Sequence, residues 1–204
     1  MSRFAELLKS RVSTNRYDVA RTLGDRQIEE LISLATTAPS AFNLQNWKFI
    51  AVRSAEGKAK LLPIAYGQQK VVDAAVTFIV CGTLEPHLTL PSALRPSLDA
   101  EIVDQAIYDG WIAAAQNMYG TNPVMQRDEA VRSASLAAMT LMIVAEERGL
   151  ASGPMIGFDP AGVSAAFDLK ATDVPVMLVT VGYAAPGNWP QKPRKAVTDV
   201  VSLA

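Results

Sequence analysis

The spacing of hydrophobic residues in the first forty positions predicts two amphipathic helices. The first is expected to begin near Phe4 and to end at the turn formed by residues 13–15. Its apolar positions are Phe4, Leu7, Leu8 and Val12. The second is expected to run from a candidate cap at Asp25 to a stop at Pro39. Its apolar stripe consists of Ile28, Leu31, Ile32 and Ala35.

Three runs rich in apolar and β-branched residues predict the core strands, at residues 47–52, 76–84 and 174–183. The middle run is almost continuously apolar, which is typical of a strand buried on both faces. Short helices are predicted over residues 55–62 and 68–74.

Two long helices are predicted in the second half of the chain, over residues 98–118 and 127–148. Residues 134–145 are apolar on every side, so this segment must be covered all round, by its own subunit or by another. Residues 85–96 contain three prolines and the only histidine, His87, and are expected to form a loop with His87 at the surface.

The remaining segments are interpreted from local signals. Asp159 followed by Pro160 predicts a helix start. Gly149, Gly153 and Gly157 are interpreted as a helix stop and a tight loop. The proline-rich, positively charged segment after residue 183 is expected to be an arm rather than part of the core.

Composition narrows the class of protein. The chain has 204 residues, of which 50% are hydrophobic, and shows no internal repeat or linker, so we expect one folded domain over residues 1–204. The net charge of −1 offers no excess of cations for a nucleic acid. One cysteine and one histidine make a disulfide framework and a zinc site improbable, so no metal is expected.

Location and partners are predicted from the same pattern. Residues 1–18 carry charges throughout and lack the apolar core of a signal peptide. The longest unbroken apolar run, residues 133–145, is too short to span a bilayer. A cytoplasmic protein without a membrane partner is therefore expected.

Most standard catalytic motifs are absent from the sequence. It contains no GxSxG, GxGxxG or Walker A motif, and Cys81 lies within a predicted buried strand, where an inert core thiol is expected. Three polar segments remain, at residues 11–15, 39–47 and 192–194. Their cations and amides suit an anionic, planar ligand. Taken singly, residues 11–15 and 192–194 are more typical of a solvated surface. Residues 39–47 are more telling, because an ordinary capped turn would not need Gln45 and Trp47, although such a turn remains the alternative.

Four segments together resemble the FMN-dependent nitroreductase family, in that family's order and spacing, over about residues 7–201. They are Arg11-Val12-Ser13-Thr14-Asn15-Arg16-Tyr17, residues 38–47 with the pattern Pro-Ser-x-x-Asn-x-Gln-x-Trp, residues 153–159, and Lys192-Pro193-Arg194. The resemblance implies an α+β, three-layer α/β/α fold with a central, mostly antiparallel sheet flanked by helices, in an intertwined homodimer with shared FMN sites.

The resemblance also implies residue roles. The FMN phosphate would be bound by Arg11, Ser13, Lys192 and Arg194. The loop that lines the flavin from the partner subunit would contain Pro39, Ser40, Ala41 and Asn43, with Gln45 in its outer shell. Backbone N–H groups at Ile156 and Gly157 would approach flavin N5. Further implied FMN neighbours are Val12, Asn15, Gln68, Pro154 and Met155, and Phe42 is a candidate for stacking on the acceptor.

Three positions depart from the pattern of many family members. Asn15 stands where many have Lys, so Arg16 is the expected substitute for that charge. Gly67 stands where many have Asn, so a ring contact would pass to Gln68 or be lost. Ile156 stands where some members have an acidic residue, so only its backbone is left to act on the flavin.

Two classes of function follow from the resemblance. The first is an FMN oxidoreductase in which NADH or NADPH reduces the flavin, which then reduces a nitroaromatic, a quinone or a similar electron-poor acceptor by ping-pong hydride transfer. The alternative is a non-catalytic flavin-binding or redox-sensing protein, or a specialised flavin-processing enzyme on the same fold.

Overall fold

Four antiparallel strands form the centre of the protein. In the computed structural model, which describes residues 2–204, they are β1 (Trp47–Val52), β2 (Val76–Thr83), β3 (Ala151–Met155) and β4 (Asp173–Gly182). Their spatial order is β1-β2-β4-β3, so β1 and β3 are the two edges of the sheet. The three strands expected from apolar runs are confirmed, and β2 is buried on both faces as predicted.

Eight α-helices surround this sheet in the described part of the chain. They are α1 (Arg3–Ser10), α2 (Asp25–Ala35), α3 (Ala55–Ile64), α4 (Lys70–Asp73), α5 (Pro86–Asp99), α6 (Gln105–Tyr119), α7 (Pro123–Glu147) and α8 (Pro160–Ala166). Two short 3-10 helices lie at Ala41–Asn43 and Val197–Asp199.

Alternate side chains of β2 point into two different cores. Phe78 and Val80 pack with α2 and α7 on one face of the sheet. Ile79 and Cys81 pack with α3, α4 and α8 on the other face. Because a strand places successive side chains on opposite faces, this alternation gives the three layers that the family resemblance implied.

The prediction of a loop at residues 85–96 is wrong, because this segment forms most of α5. Pro86 occupies the first turn, where a helix does not need the missing N–H group. Leu90 and Leu94 are fully buried in a third core with α6 and the 3-10 helix at Ala41–Asn43. Tertiary packing thus outweighs the cost of the two interior prolines. His87 is buried on α5 and is not the surface residue that we expected.

Two long helices are present but their boundaries differ from the prediction. The stretch 98–118 is not one helix, since α5 ends at Asp99 and α6 starts after Asp104, whose carboxylate accepts from the Ile107 N–H at 2.7 Å. Helix α7 begins four residues early because Asn122 caps it, accepting from the Met125 N–H at 3.0 Å.

The edge strand β3 was not expected from the sequence. Gly153, interpreted as part of a tight loop, lies in the middle of this strand. A Cβ atom at this position would lie 2.5 Å from the Thr14 carbonyl oxygen, so glycine permits residues 11–15 to run close beside β3. Gly149 ends α7 in the left-handed region, with φ of 69°, as predicted.

The rest of the chain covers helix α7 only in part. Ala134, Ala138 and Leu141 are buried against the sheet. Leu136 and Met139, on another side of the helix, are 41% and 39% exposed. Within residues 2–204, no helix combines the length and apolar character needed to cross a bilayer.

Candidate active site

The opening motif is attached to the edge of the sheet at β3. Ser13 forms a parallel bridge with Ser152, and the Thr14 N–H donates to the Ser152 carbonyl at 2.9 Å. The Ser13 side chain is exposed while Thr14 is buried. This pairing fixes the path of residues 11–15 along β3 and leaves the Ser13 hydroxyl facing outward.

Four cationic residues lie on or near the segments at the β3 edge of the sheet. Lys70, at the start of α4, places Nζ 3.4 Å from Asn15 Oδ1. Burial lowers the pKa of the Lys70 ammonium, and the positive charge of Lys192 lowers it further. Arg194 donates to Gln191, which in turn donates to the Arg11 carbonyl at 3.1 Å. We call Arg11, Lys70, Lys192 and Arg194 the cation cluster.

The cation cluster has no anionic partner of its own. None of its four side chains forms an ion pair within the described chain. Arg11 Nη1 is moreover buried without a hydrogen-bond partner among the described residues. A buried guanidinium nitrogen without an acceptor is costly, so this arrangement is suited to binding an anion.

Two free backbone donors follow the end of β3. Ile156 and Gly157 are exposed, and their N–H groups have no acceptor among residues 2–204. The Gly157 carbonyl is held by Gln68, whose Nε2 donates to it at 2.7 Å and also to the Ala65 carbonyl at 3.0 Å. The donors are therefore fixed in place. The Met155 side chain is buried in the core, so this residue offers only its backbone.

The loop at residues 39–45 lies at the other edge of the sheet. It leads into β1, three strand spacings from β3, or about 14 Å. Ser40 Oγ accepts from the Gln45 N–H at 2.9 Å, and Phe42, Asn43 and Gln45 have φ values of 51°, 58° and 48°. One chain therefore does not bring Pro39, Ser40, Ala41, Asn43 and Gln45 to the cation cluster.

Phe42 packs on its own chain. Its ring meets the Trp111 ring edge-on, with centroids 6.1 Å apart, and it borders the third core. The structure thus places Phe42 at the base of its loop, and its role in acceptor stacking stays a prediction.

Lys70 is a candidate site residue that no sequence motif indicated. The family resemblance draws attention to Gly67 and Gln68 but not to Lys70, because a lysine on a four-residue helix has no distinguishing local pattern. Arg16, expected to supply charge near Asn15, instead lies along Gly187, within 3.4 Å of the position that a Cβ atom would take there. Lys70 is thus the cation beside Asn15.

Residues outside this edge offer little reactive chemistry. Burial raises the pKa of the Cys81 thiol to about 12, with a further rise from Asp173 and an opposing effect of Lys48. Within residues 2–204, no group of three or more His, Cys, Asp or Glu side chains is placed to hold a metal ion.

Comparison with known proteins places the chain in a family. The model of the nitroreductase family matches residues 8–183. YodC of Bacillus subtilis (strain 168), named as an NAD(P)H nitroreductase, is 33% identical over 184 residues, which cover 90% of this chain and 91% of YodC.

Solved structures agree in fold over nearly the full length. The nitroreductase ydfN of Bacillus subtilis superposes with a TM-score of 0.92 at 30% identity, covering 98% of each chain. A nitroreductase from Exiguobacterium sibiricum 255-15, solved in complex with FMN, gives a TM-score of 0.92 at 28% identity, covering 100% of this chain and 98% of its own. The chain belongs to the nitroreductase family.

Proposed function

We propose that the protein is an FMN-dependent oxidoreductase that takes electrons from NADH or NADPH and passes them to a small electron-poor acceptor. The observation that carries this proposal is the unpaired cation cluster beside two free backbone N–H groups at the end of β3. The likeness to an FMN-bound nitroreductase and to YodC supports the same conclusion.

The residues present fit the phosphate of FMN. A phosphate monoester carries a charge of about −1.5 to −2 and three strong acceptor oxygens. Arg11 Nη1 lacks an acceptor among residues 2–204, and the Ser13 hydroxyl is exposed. Gln191 ties Arg194 to the Arg11 carbonyl, and Lys192 follows Gln191 directly along the chain. These four side chains would hold the phosphate.

The backbone at Ile156 and Gly157 would orient the ring. FMN, when bound, stores the electrons delivered by a nicotinamide until an acceptor takes them. The two N–H donors are held in advance by β3 and by Gln68, so they stabilise negative charge near them without rearranging. Lys70 adds positive charge beside Asn15, at the place where many family members carry lysine.

The acceptor class follows from the surface next to these donors. The Ile156 side chain is 79% exposed and brings no carboxylate. An apolar contact of this kind favours flat, uncharged acceptors such as nitroaromatics and quinones. We propose that nicotinamide and acceptor use this surface in turn, which gives ping-pong kinetics.

We further propose a homodimer in which a second copy supplies the loop at residues 39–45. The loop lies about 14 Å across the sheet from β3 in its own chain. Helices α6 and α7 expose large apolar side chains that a second copy would cover. They are Ile107, Trp111, Met118, Leu136 and Met139. The cytoplasmic location stays a prediction.

Absorbance spectra under anaerobic conditions test the proposed function. We expect a purified yellow protein whose flavin absorbance is bleached by NADH or NADPH and returns when a quinone or nitroaromatic is added. A yellow protein that neither nicotinamide bleaches would instead favour the non-catalytic flavin-binding alternative. A colourless protein that does not take up added FMN would contradict both.

A further inference from the structure

One side chain links the arm to the opening motif through four hydrogen bonds. Asn188 Oδ1 accepts from the N–H groups of Asn15 at 2.8 Å and Arg16 at 2.9 Å. Its Nδ2 donates to the carbonyls of Arg16 and Ala185, each at 2.9 Å. A carboxamide has two donors and two acceptor lone pairs, so the four hydrogen bonds satisfy all of the hydrogen-bonding capacity of this side chain.

The turn before Asn188 depends on glycine. Gly187 has φ of 91°, a conformation that other residues rarely adopt, and the Arg16 side chain lies along its open face. This turn directs the Asn188 side chain back onto residues 15 and 16.

A second amide continues the same link. Gln191 donates from Nε2 to the Arg11 carbonyl at 3.1 Å and accepts from Arg194 Nη2 at 3.0 Å. It therefore joins the backbone of one cation-cluster residue to the side chain of another.

Repulsion between the cations of the arm and those of the β3 edge would, by itself, drive the arm away from the opening motif. Lys192 lies near enough to Lys70 to lower its pKa by repulsion. Every residue from 191 to 204 is exposed, so the arm gains little from burial in this chain. An interaction other than burial or charge attraction therefore has to hold this part of the arm against the opening motif.

We propose that Asn188 and Gln191 form an amide clamp that assembles the cation cluster before an anion binds. Both are positioning residues: they contact the opening motif and Arg194, and they act on the phosphate only through the cations that they hold in place. This inference rests on the proposed FMN site. It also makes a separate claim, that the arm is docked in the ligand-free protein.

Hydrogen–deuterium exchange of the full-length, ligand-free protein tests the docking claim. In Asn188→Ala the N–H groups of Asn15 and Arg16 lose their acceptor, so their exchange should accelerate, together with that of residues 185–194. Gln191→Ala should accelerate exchange only in the arm. Thr198→Ala, an exposed change farther along the arm, serves as the control and should match the wild type.

Fluorescence titration with FMN tests whether the amide clamp contributes to FMN affinity. Asn188→Ala should weaken FMN binding about tenfold or more and release it faster, while the spectrum of the saturated protein is unchanged. Gln191→Ala should show a smaller loss, which keeps the test valid if Asn188→Ala folds poorly.

The outcomes separate this inference from the proposed function. Unchanged exchange at Asn15 and Arg16 in Asn188→Ala would overturn the clamp, and so would accelerated exchange with wild-type FMN affinity. If the wild-type protein bound no FMN, the proposed function would fail, and the exchange experiment would still decide whether the arm is clamped.

Discussion

Arg11 holds the most informative single atom in the protein, a buried guanidinium nitrogen without an acceptor in the described part of the chain. Because Arg11 forms no ion pair with a carboxylate among residues 2–204, and Gln191 ties its carbonyl to Arg194, we expect this nitrogen to bind the FMN phosphate. Arg11→Ala, and separately Arg194→Ala, should lose about 1.5–3 kcal/mol of FMN affinity, or roughly ten- to a hundredfold. Fluorescence titration measures this loss.

Arg26→Ala is the matched control for these variants. Its side chain is 91% exposed, and its only ion pair within residues 2–204 is with Glu30, one turn along α2. It should keep wild-type FMN affinity, whereas wild-type affinity in Arg11→Ala would contradict the phosphate assignment.

Phe42 offers a test of acceptor choice. Phe42→Ala should change the relative kcat/KM values for different aromatic acceptors while flavin content stays constant, if the ring stacks on the acceptor. Trp111→Ala removes the ring against which Phe42 packs and is the comparison. Equal losses for every acceptor in both variants would show that Phe42 serves only to support its loop.

Cys81 is expected to be unreactive in the folded protein. Its pKa rises from the ordinary value of 9.0 to about 12 because the thiol is buried. The raised pKa contributes stability below about pH 9 that is lost as the pH rises toward 12. At pH 8 a thiol reagent should modify the protein only as fast as it unfolds, and rapid modification of the native protein would show that the thiol is accessible.

At the scale of elements, α5 shows how tertiary packing decides secondary structure. Leu94 is 1% exposed in the third core, so Leu94→Ala should lower the free energy of unfolding by about 2–5 kcal/mol. Leu88→Ala, on the same helix but 63% exposed, should change it by less than about 0.5 kcal/mol. Urea denaturation at one protein concentration measures both, and equal effects would contradict the packing of α5.

The elements that the sequence predicted correctly are indicated by patterns within their own residues. The apolar, β-branched runs of β1, β2 and β4 and the Asp159–Pro160 start of α8 depend on residues next to one another. The motifs at residues 11–15, 153–159 and 192–194 are likewise local patterns. The structure places them along the β3 edge, and their role in FMN binding stays a prediction.

The elements that were missed depend on distant residues. The short strand β3 contains Gly153 and Pro154 and is specified by pairing with β4 and by the approach of Thr14. Asn188 contacts a residue 173 positions away, a distance at which sequence patterns give no signal. Lys70 joins the cation cluster only because α4 brings it beside Asn15.

At the scale of the whole molecule, the two halves of the proposed FMN site lie on opposite edges of one sheet. The cation cluster adjoins β3, and the loop at residues 39–45 leads into β1. A second copy that covers the exposed side chains of α6 and α7 would bring its own loop to the first copy's cation cluster. FMN binding and pairing of copies should then be lost together on dilution.

Mixed dimers test this shared-site account most directly. Arg11→Ala removes a proposed phosphate contact, and Asn43→Gly removes the loop amide at a position whose φ of 58° suits glycine. The two variants are produced together with different tags and purified as the mixed pair, and FMN affinity is measured by titration. Our account predicts one site of wild-type affinity per mixed pair, because one of its two sites draws Arg11 and Asn43 from unaltered copies. If each chain bound FMN alone, every site would carry a substitution, and the absence of a restored tight site would contradict the account.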